Sequence, residues 1–228
     1  YPRLCLICRQ RLGHCSIDGF VCPACWSRVK KNLPPFCSRC GRQLQTGALT
    51  ESICASCIRN PPHFDRAFSP CSYEGVVKEL IHEFKYKRKD YLGHTLSRLL
   101  IDFIKEYSIA IDRIELIIPI PLHNARLRER EFNQAQVLAG YISGEFKIRM
   151  LEGNLVRHRY TRTQTELEPE ERLLNVLDSF SLKEKGSVKG KNILLVDDVL
   201  TTGATSSQAA RTLKQAGANI VFVSTLAN

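Results

Sequence analysis

Nowhere in the 228 residues is there an apolar run long enough to cross a bilayer as a helix. Nor does Tyr1-Pro2-Arg3 open a secretory segment, and a soluble, cytoplasmic protein without membrane insertion is expected. Methionine and tryptophan occur once each, and aromatic residues make up 8% of the chain. No stretch interleaves aromatic with basic side chains in the manner that stacks the bases of a single strand. Acidic residues are also in deficit, 23 against 33 Lys and Arg, so the formal charge is +10 and an anionic partner is favoured. Charge alone does not separate a phosphorylated small molecule from a nucleic acid. The 43% apolar content suffices for a sizeable core, and the length suits one ordinary domain and a smaller one.

Cysteine, by contrast, is abundant. Eight of the ten cysteines form four C-x-x-C pairs: Cys5 and Cys8, Cys22 and Cys25, Cys37 and Cys40, Cys54 and Cys57. The interval from Cys8 to Cys22 equals that from Cys40 to Cys54, so the pattern repeats. Two thiolates three positions apart grip one side of a tetrahedral metal from a tight turn, and a second such turn closes it. Two structural zinc ions in tandem four-cysteine ribbons are expected over residues 1–60. A disulfide framework or an iron–sulfur cluster would use the same residue type, but the symmetric spacing favours zinc. With four thiolates on each ion, the holo charge falls from +10 to about +6. Cys15 and Cys71 fall outside the pairs and are read as free thiols, with His14 a lesser alternative ligand. Arg9, Arg11, Arg28, Lys30, Lys31, Arg39 and Arg42 make a basic face on the ribbons possible, although a solvated charged surface is the preferred reading of each one.

Asn60-Pro61-Pro62 marks a boundary, and residues 61–228 read as an α/β domain with a mainly parallel sheet. Strand or hairpin character is expected over 64–73, helices over 75–86 and 92–107, and a buried strand over 116–121 that two prolines break. A basic loop with His123, Arg126, Arg128 and Arg130 follows, then a helix over 133–143 and a strand over 151–156. A short helix from Glu168, a strand over 177–182, a helix over 206–215 and a last strand over 220–225 complete the pattern. Between the first two helices, Phe84 to Lys89 form a basic patch, either a solvated run or the wall of an acceptor site.

The informative stretch is Ile193 to Thr205. Four large apolar residues end in Asp197 and Asp198, and Val199-Leu200-Thr201-Thr202-Gly203-Ala204-Thr205 follow. A run without alternation suits a central parallel strand covered on both faces, whose carboxyl end is where ligands gather. Hydroxyls, a glycine and the start of a helix supply the chemistry of an anion site, while the carboxylates suit sugar hydroxyls. A plain strand and capped helix would use the same residues.

The stretch resembles the 5-phosphoribosyl 1-diphosphate (PRPP) motif of type I phosphoribosyltransferases. The resemblance implies that Asp197 and Asp198 hold the ribose 2- and 3-hydroxyls and that Thr201, Thr202, Gly203, Ala204 and Thr205 hold the 5-phosphate, with Val196 closing the binding run. Pro119-Ile120-Pro121-Leu122-His123, Arg126 to Arg130 and Phe132-Asn133-Gln134 are similar to the ComF family, which joins a double zinc ribbon to a phosphoribosyltransferase-like domain. That likeness covers essentially the whole chain. It implies a pyrophosphate side built from His123, Arg126, Arg128 and Arg130, magnesium arriving with PRPP, and a mobile loop over Arg157 to Gln164. Asp197, Asp198, Arg128 and Arg130 would then carry catalysis. It also implies a link to DNA uptake, with single-stranded DNA and competence-machinery proteins as candidate partners, and a non-catalytic PRPP sensor or DNA-handling factor as the rival role. Glu131 stands where that family usually has Gly; a carboxylate pointing inward there would repel the diphosphate.

Overall fold

The computed structural model of the protein describes residues 3–44, 52–86, 89–158 and 179–228. Five parallel strands form the central sheet: β1 (Arg66–Phe68), β2 (Leu116–Pro119), β3 (Arg149–Met150), β6 (Ile193–Val199) and β7 (Val221–Ala227), in the order β1-β7-β6-β2-β3. A separate antiparallel pair is made by β4 (Leu155–Arg157) and β5 (Phe180–Leu182). The helices are α1 (Pro23–Trp26), α2 (Ala55–Arg59), α3 (Gly75–Tyr86), α4 (Leu92–Glu106), α5 (Asn124–Arg130), α6 (Gln134–Phe146) and α7 (Ala204–Gln215). No helix among the described residues is long and apolar enough to cross a membrane.

The unbroken apolar run of β6 follows from its place in the middle. Side chains alternate between the faces of a strand, and here both faces are covered. Leu194 and Val196 enter one core with α3, α4 and α6, whereas Ile193 and Leu195 enter a second core with α7 and the β4–β5 pair. The prolines of β2 set the shape of the sheet's upper edge. Pairing between β2 and β6 ends at Pro119↔Val196, while β6 continues beside β7 through Asp197↔Thr225 to Val199↔Ala227. The two carboxylates are therefore inside the strand, beyond the point where its neighbour has left.

Two further departures from the sequence reading concern local structure. The basic segment after β2 is the helix α5, not a loop: His123 caps it by accepting a hydrogen bond from Ala125 N at Nδ1, 3.2 Å, and its Arg, Leu and Glu residues are good helix formers. Of the strand expected over 151–156 only the end is extended: β4 begins at Leu155 in the separate pair, and β3, which joins β2, has already ended at Met150. The helix expected from Glu168, and the loop from Arg159 onward, lie outside the described residues, as do Lys87 and Arg88.

The cysteine-rich segment packs directly against this sheet and its helices. Ala67 N of β1 donates to Arg39 O at 2.6 Å, and Lys31 bridges Cys71, so the ribbon covers the edge that β1 would otherwise expose. The approach is close: a Cβ on Gly41 would lie 2.4 Å from Ala67 O, and Gly41 has φ +69°. At the other end Thr95 Oγ1 donates to Asp18 Oδ2 at 2.7 Å, and Arg9 pairs with Glu83 at 3.7 Å. Val21, Cys5 and Cys25 share the core that contains α3 and α4.

Candidate functional site

Where β2 leaves β6, a cleft of about 420 Å³ opens between the end of β6, the loop to α7, α5 and α3. Asp197, Asp198, Thr201, Gly203, Ala204 and Thr205 line one side, with Arg126 and Arg130 on another. Val196, Thr202, His123 and Arg128 are not among its lining. Val196 is fully buried in the core below, Arg128 is exposed on α5, and Thr202 Oγ1 accepts from Ala204 N at 3.4 Å.

The loop between β6 and α7 is shaped by Gly203, whose φ of +77° places it in the left-handed region, where a side chain is disfavoured. The amino-terminal end of α7 follows at once, so its dipole and its first amides face the loop. This is the geometry of an anion cradle beside two carboxylates.

The carboxylates differ. Asp197 Oδ1 accepts from Asp198 N at 2.8 Å, and burial, reinforced by the charge of Asp198, pushes the Asp197 carboxyl up to about 7. Asp198 Oδ2 is 2.7 Å from Lys85 Nζ of α3, and the two side chains are only 13% and 16% exposed. Arg157, on β4, also lines the cleft; burial depresses its guanidinium below the ordinary value, Asp197 works against that, and Arg126 adds to it. Among the described lining residues, Lys78, Lys85, Arg126, Arg130 and Arg157 face two carboxylates, which leaves the cleft cationic.

Arg130 is fixed by the segment that follows it. Its Nη1 donates to Gln134 Oε1 at 3.1 Å, its Nη2 donates to Tyr86 Oη at 3.3 Å, and the guanidinium lies 5.1 Å from the Tyr86 ring centroid. Its buried Nε has no hydrogen-bond partner among the described residues. Asn133 ties the start of α6 to the end of β2 through Nδ2 to Ile120 O, 3.0 Å, and Phe132 packs on Phe84 of α3 at 5.4 Å. The Phe132-Asn133-Gln134 run is thus a clamp that positions α5 and α3 around the cleft. Glu131, by contrast, is exposed in a separate groove with Leu127 and Tyr141. It does not line the cleft with Asp197.

The sequence reading sets Lys85 in a basic patch, either solvated or the wall of an acceptor site, and Arg157 at the start of a mobile loop, and assigns neither to the acid pair. Lys85 follows Phe84 and is one helical turn from Ile81, both fully buried, so its place at the margin of the apolar stripe of α3 was the available signal. Arg157 belongs to the polar run after Val156, and only the β4–β5 pairing brings it near Asp197.

The cysteines form two compact groups: Cys5, Cys8, Cys22, Cys25 and Cys37, Cys40, Cys54, Cys57, each with its ligand atoms within 4.8 Å of one another. Cys8 and Cys22 sulfurs are 3.8 Å apart, and Cys40 and Cys54 sulfurs 3.7 Å. A tetrahedron with Zn–S bonds of about 2.3 Å has edges of about 3.8 Å, so the donor sets fit zinc. The halves match in detail. Cys22 N donates to Cys5 Sγ at 3.4 Å and Cys54 N to Cys37 Sγ at 3.3 Å, and Cys22 and Cys54 each precede a short helix. Burial and the adjacent thiols push Cys25 up to about 12, so thiols packed this way cannot all ionise unless a cation holds them. The chain therefore carries two structural four-cysteine zinc sites. All ten cysteines are free of disulfides, and Cys15 and Cys71 lie outside both groups.

Comparisons with known proteins follow the same division. The double zinc ribbon domain family matches residues 1–63, and the phosphoribosyl transferase domain family matches residues 133–228. Competence protein F of Haemophilus influenzae is 31% identical over 96% of this chain and 94% of its own length. The DNA utilization protein YhgH of Escherichia coli K12 is 30% identical over 97% and 95%, and competence protein ComFC of Bacillus subtilis 31% identical over 88% and 80%. Among solved structures, the glutamine PRPP amidotransferase of B. subtilis complexed with ADP and GMP aligns with a TM-score of 0.38 at 22% identity, over 62% of this chain. The chain spans 26% of that protein's length. The adenine phosphoribosyltransferase of Leishmania donovani aligns with a TM-score of 0.37 at 20% identity, over 72% of this chain and 61% of its own.

Proposed function

The chain belongs to the family of competence protein F, YhgH and ComFC, a double zinc ribbon joined to a phosphoribosyltransferase domain, and from that we propose that its cleft binds PRPP and transfers the phosphoribosyl group to a nitrogen acceptor. One observation carries the reading: a carboxylate pair, an anion cradle and a set of cations meet at the carboxyl end of the central strand. In this reading residues 1–60 are the tandem ribbons and residues 61–228 the transferase-like domain.

Asp197 and Asp198 accept hydrogen bonds from the ribose 2- and 3-hydroxyls, and the loop from Thr201 to Thr205 with the start of α7 takes the 5-phosphate. Arg126 and Arg130 face the diphosphate, with Arg128 on the outer side of α5 and His123 at its cap. The acceptor nitrogen bonds to C1 of the ribose as the C1–O bond breaks, the bonding pair leaves with pyrophosphate, and the configuration inverts. Because the transition state is oxocarbenium-like, the protein's work is to hold the sugar still and to stabilise charge on the departing oxygen. Magnesium favours oxygen donors; with Asp198 already on Lys85, it would enter on the diphosphate and not in a protein cage.

The relatives' names, competence protein and DNA utilization protein, favour a role connected with DNA uptake, and we place that role in the cytoplasm as part of the proposal. They also favour the second reading, in which the same pocket senses PRPP without turnover in a protein that handles single-stranded DNA.

Isothermal titration of the zinc-loaded chain with magnesium and PRPP tests the proposal. Saturable binding is expected, and Asp197→Asn combined with Asp198→Asn should abolish it while both zinc ions are retained. Absence of binding by the folded wild type rejects the pocket. Binding without pyrophosphate release across a panel of amine and base acceptors selects the sensing role.

A further inference from the structure

We propose that Lys85 joins Arg126 and Arg130 in reading the diphosphate and couples it to the sugar: its ammonium is held on Asp198 and passes to the diphosphate when the sugar hydroxyls take over that carboxylate. The inference rests on the phosphoribosyl reading of the cleft.

Lys85 reaches into the cleft from α3, outside the strand–loop–helix unit that forms the sugar and phosphate cradle. Its Nζ stands 2.7 Å from Asp198 Oδ2, with both side chains largely withdrawn from water. A pair so placed has lost much of its hydration, and such a pair is a weak source of stability compared with apolar packing, so stability is a poor reason for it. Chemistry offers a better one. The oxygens on C1 and C2 of the ribose sit on adjacent carbons. A cation that touches the carboxylate holding the 2- or 3-hydroxyl is therefore one side-chain swing from the diphosphate oxygen on C1. Lysine suits that exchange, since it is a compact charge on a flexible stem, whereas an arginine would be bound to its partner in a fixed fork.

The scaffold behind Lys85 is firm. Phe84 is fully buried and packs on Phe132, while Glu83 pairs with Lys89 at 2.6 Å and with Arg9 of the first ribbon at 3.7 Å. Arg130, the cation fixed by Tyr86 and Gln134, is bound by neutral groups and has no carboxylate partner among the described residues. Lys85 is paired with a carboxylate that the sugar itself would claim. Sugar binding and diphosphate recognition are thereby coupled.

The test compares PRPP with ribose 5-phosphate, which lacks the diphosphate, by titration of the full zinc-loaded chain in the presence of magnesium. Lys85→Met should weaken PRPP by about tenfold or more, on the order of one charge-assisted hydrogen bond, and ribose 5-phosphate by less than about threefold. Lys85→Arg should restore only a minor part of the PRPP affinity, because the guanidinium stays forked on Asp198. Because Lys85→Met leaves Asp198 uncompensated, the comparison is repeated between Asp198→Asn alone and Asp198→Asn with Lys85→Met, the second of which carries neither charge of the pair. The selective loss of PRPP should persist there. Equal weakening of both ligands, or of neither, in that background overturns the role of Lys85 while leaving the pocket intact. A wild type that binds neither sugar phosphate overturns the phosphoribosyl reading and this role with it.

Discussion

Asp197 shows how burial can set a charge state. The unfolded chain releases the Asp197 proton near pH 3.8, whereas burial and the neighbouring Asp198 hold it in the folded protein up to about 7. Between those values the folded state binds more protons, so this residue makes the protein less stable as pH rises from about 4 to about 7. Asp197→Asn removes that slope. Urea denaturation should find the variant more stable than the wild type at about pH 8, with the difference shrinking towards about pH 5; a pH-independent difference would contradict the assignment. The acid pair and its loop are legible as an anion-and-sugar motif because their chemistry is contiguous in the chain. The unequal character of the two acids is not, because it depends on how deeply the fold buries Asp197 and on Lys85, which arrives from α3 to pair with Asp198.

Among the elements, α5 departs furthest from its sequence reading. Basic residues after a proline-broken strand suggest a diphosphate loop, but a helix forms, and its pitch sends Arg126 and Arg130 to the cleft while Arg128 faces solvent. The helix ends at Glu131, whose φ of +69° is left-handed. Gly would suit that position better, because the backbone there must take a conformation that a Cβ resists. The concern that Glu131 would repel the diphosphate does not arise, because the residue faces the other groove. Glu131→Gly should stabilise the protein by roughly 0.5–1 kcal/mol, after allowing for the added freedom of the unfolded chain. Chemical denaturation checks this, and PRPP affinity should change little; a stability loss would show that contacts of the Glu131 side chain outweigh the backbone strain.

Across the whole molecule, the zinc sites and the cleft belong to one packed body. Phe36 of the second ribbon contacts the rings of Phe103 on α4 and of Tyr107 just past its end, while Asp18 of the first is bound to Thr95 on the same helix. Since ribbons of this size have too little core to fold without their ions, zinc removal should loosen α3 and α4 as well. A chelator is expected to lower the melting temperature of the full chain by more than about 5 °C in a single transition. Two separate transitions, with the upper one unmoved, would show that the ribbons fold apart from the sheet. Ribbon residues already reach the cleft's scaffold through Arg9 and Glu83, so chelation should weaken PRPP binding too. The two four-cysteine sites, the parallel sheet and the PRPP-like stretch could be read from the chain because each is written in short-range spacing: two residues between paired cysteines, unbroken apolar runs, an acid pair before a small polar loop. The cleft itself required distant segments to meet. Which arginines face it, where Lys85 lies and how the ribbon seals the β1 edge follow from helix rotation and from packing between elements far apart in sequence, and neither leaves a local mark on the residues concerned.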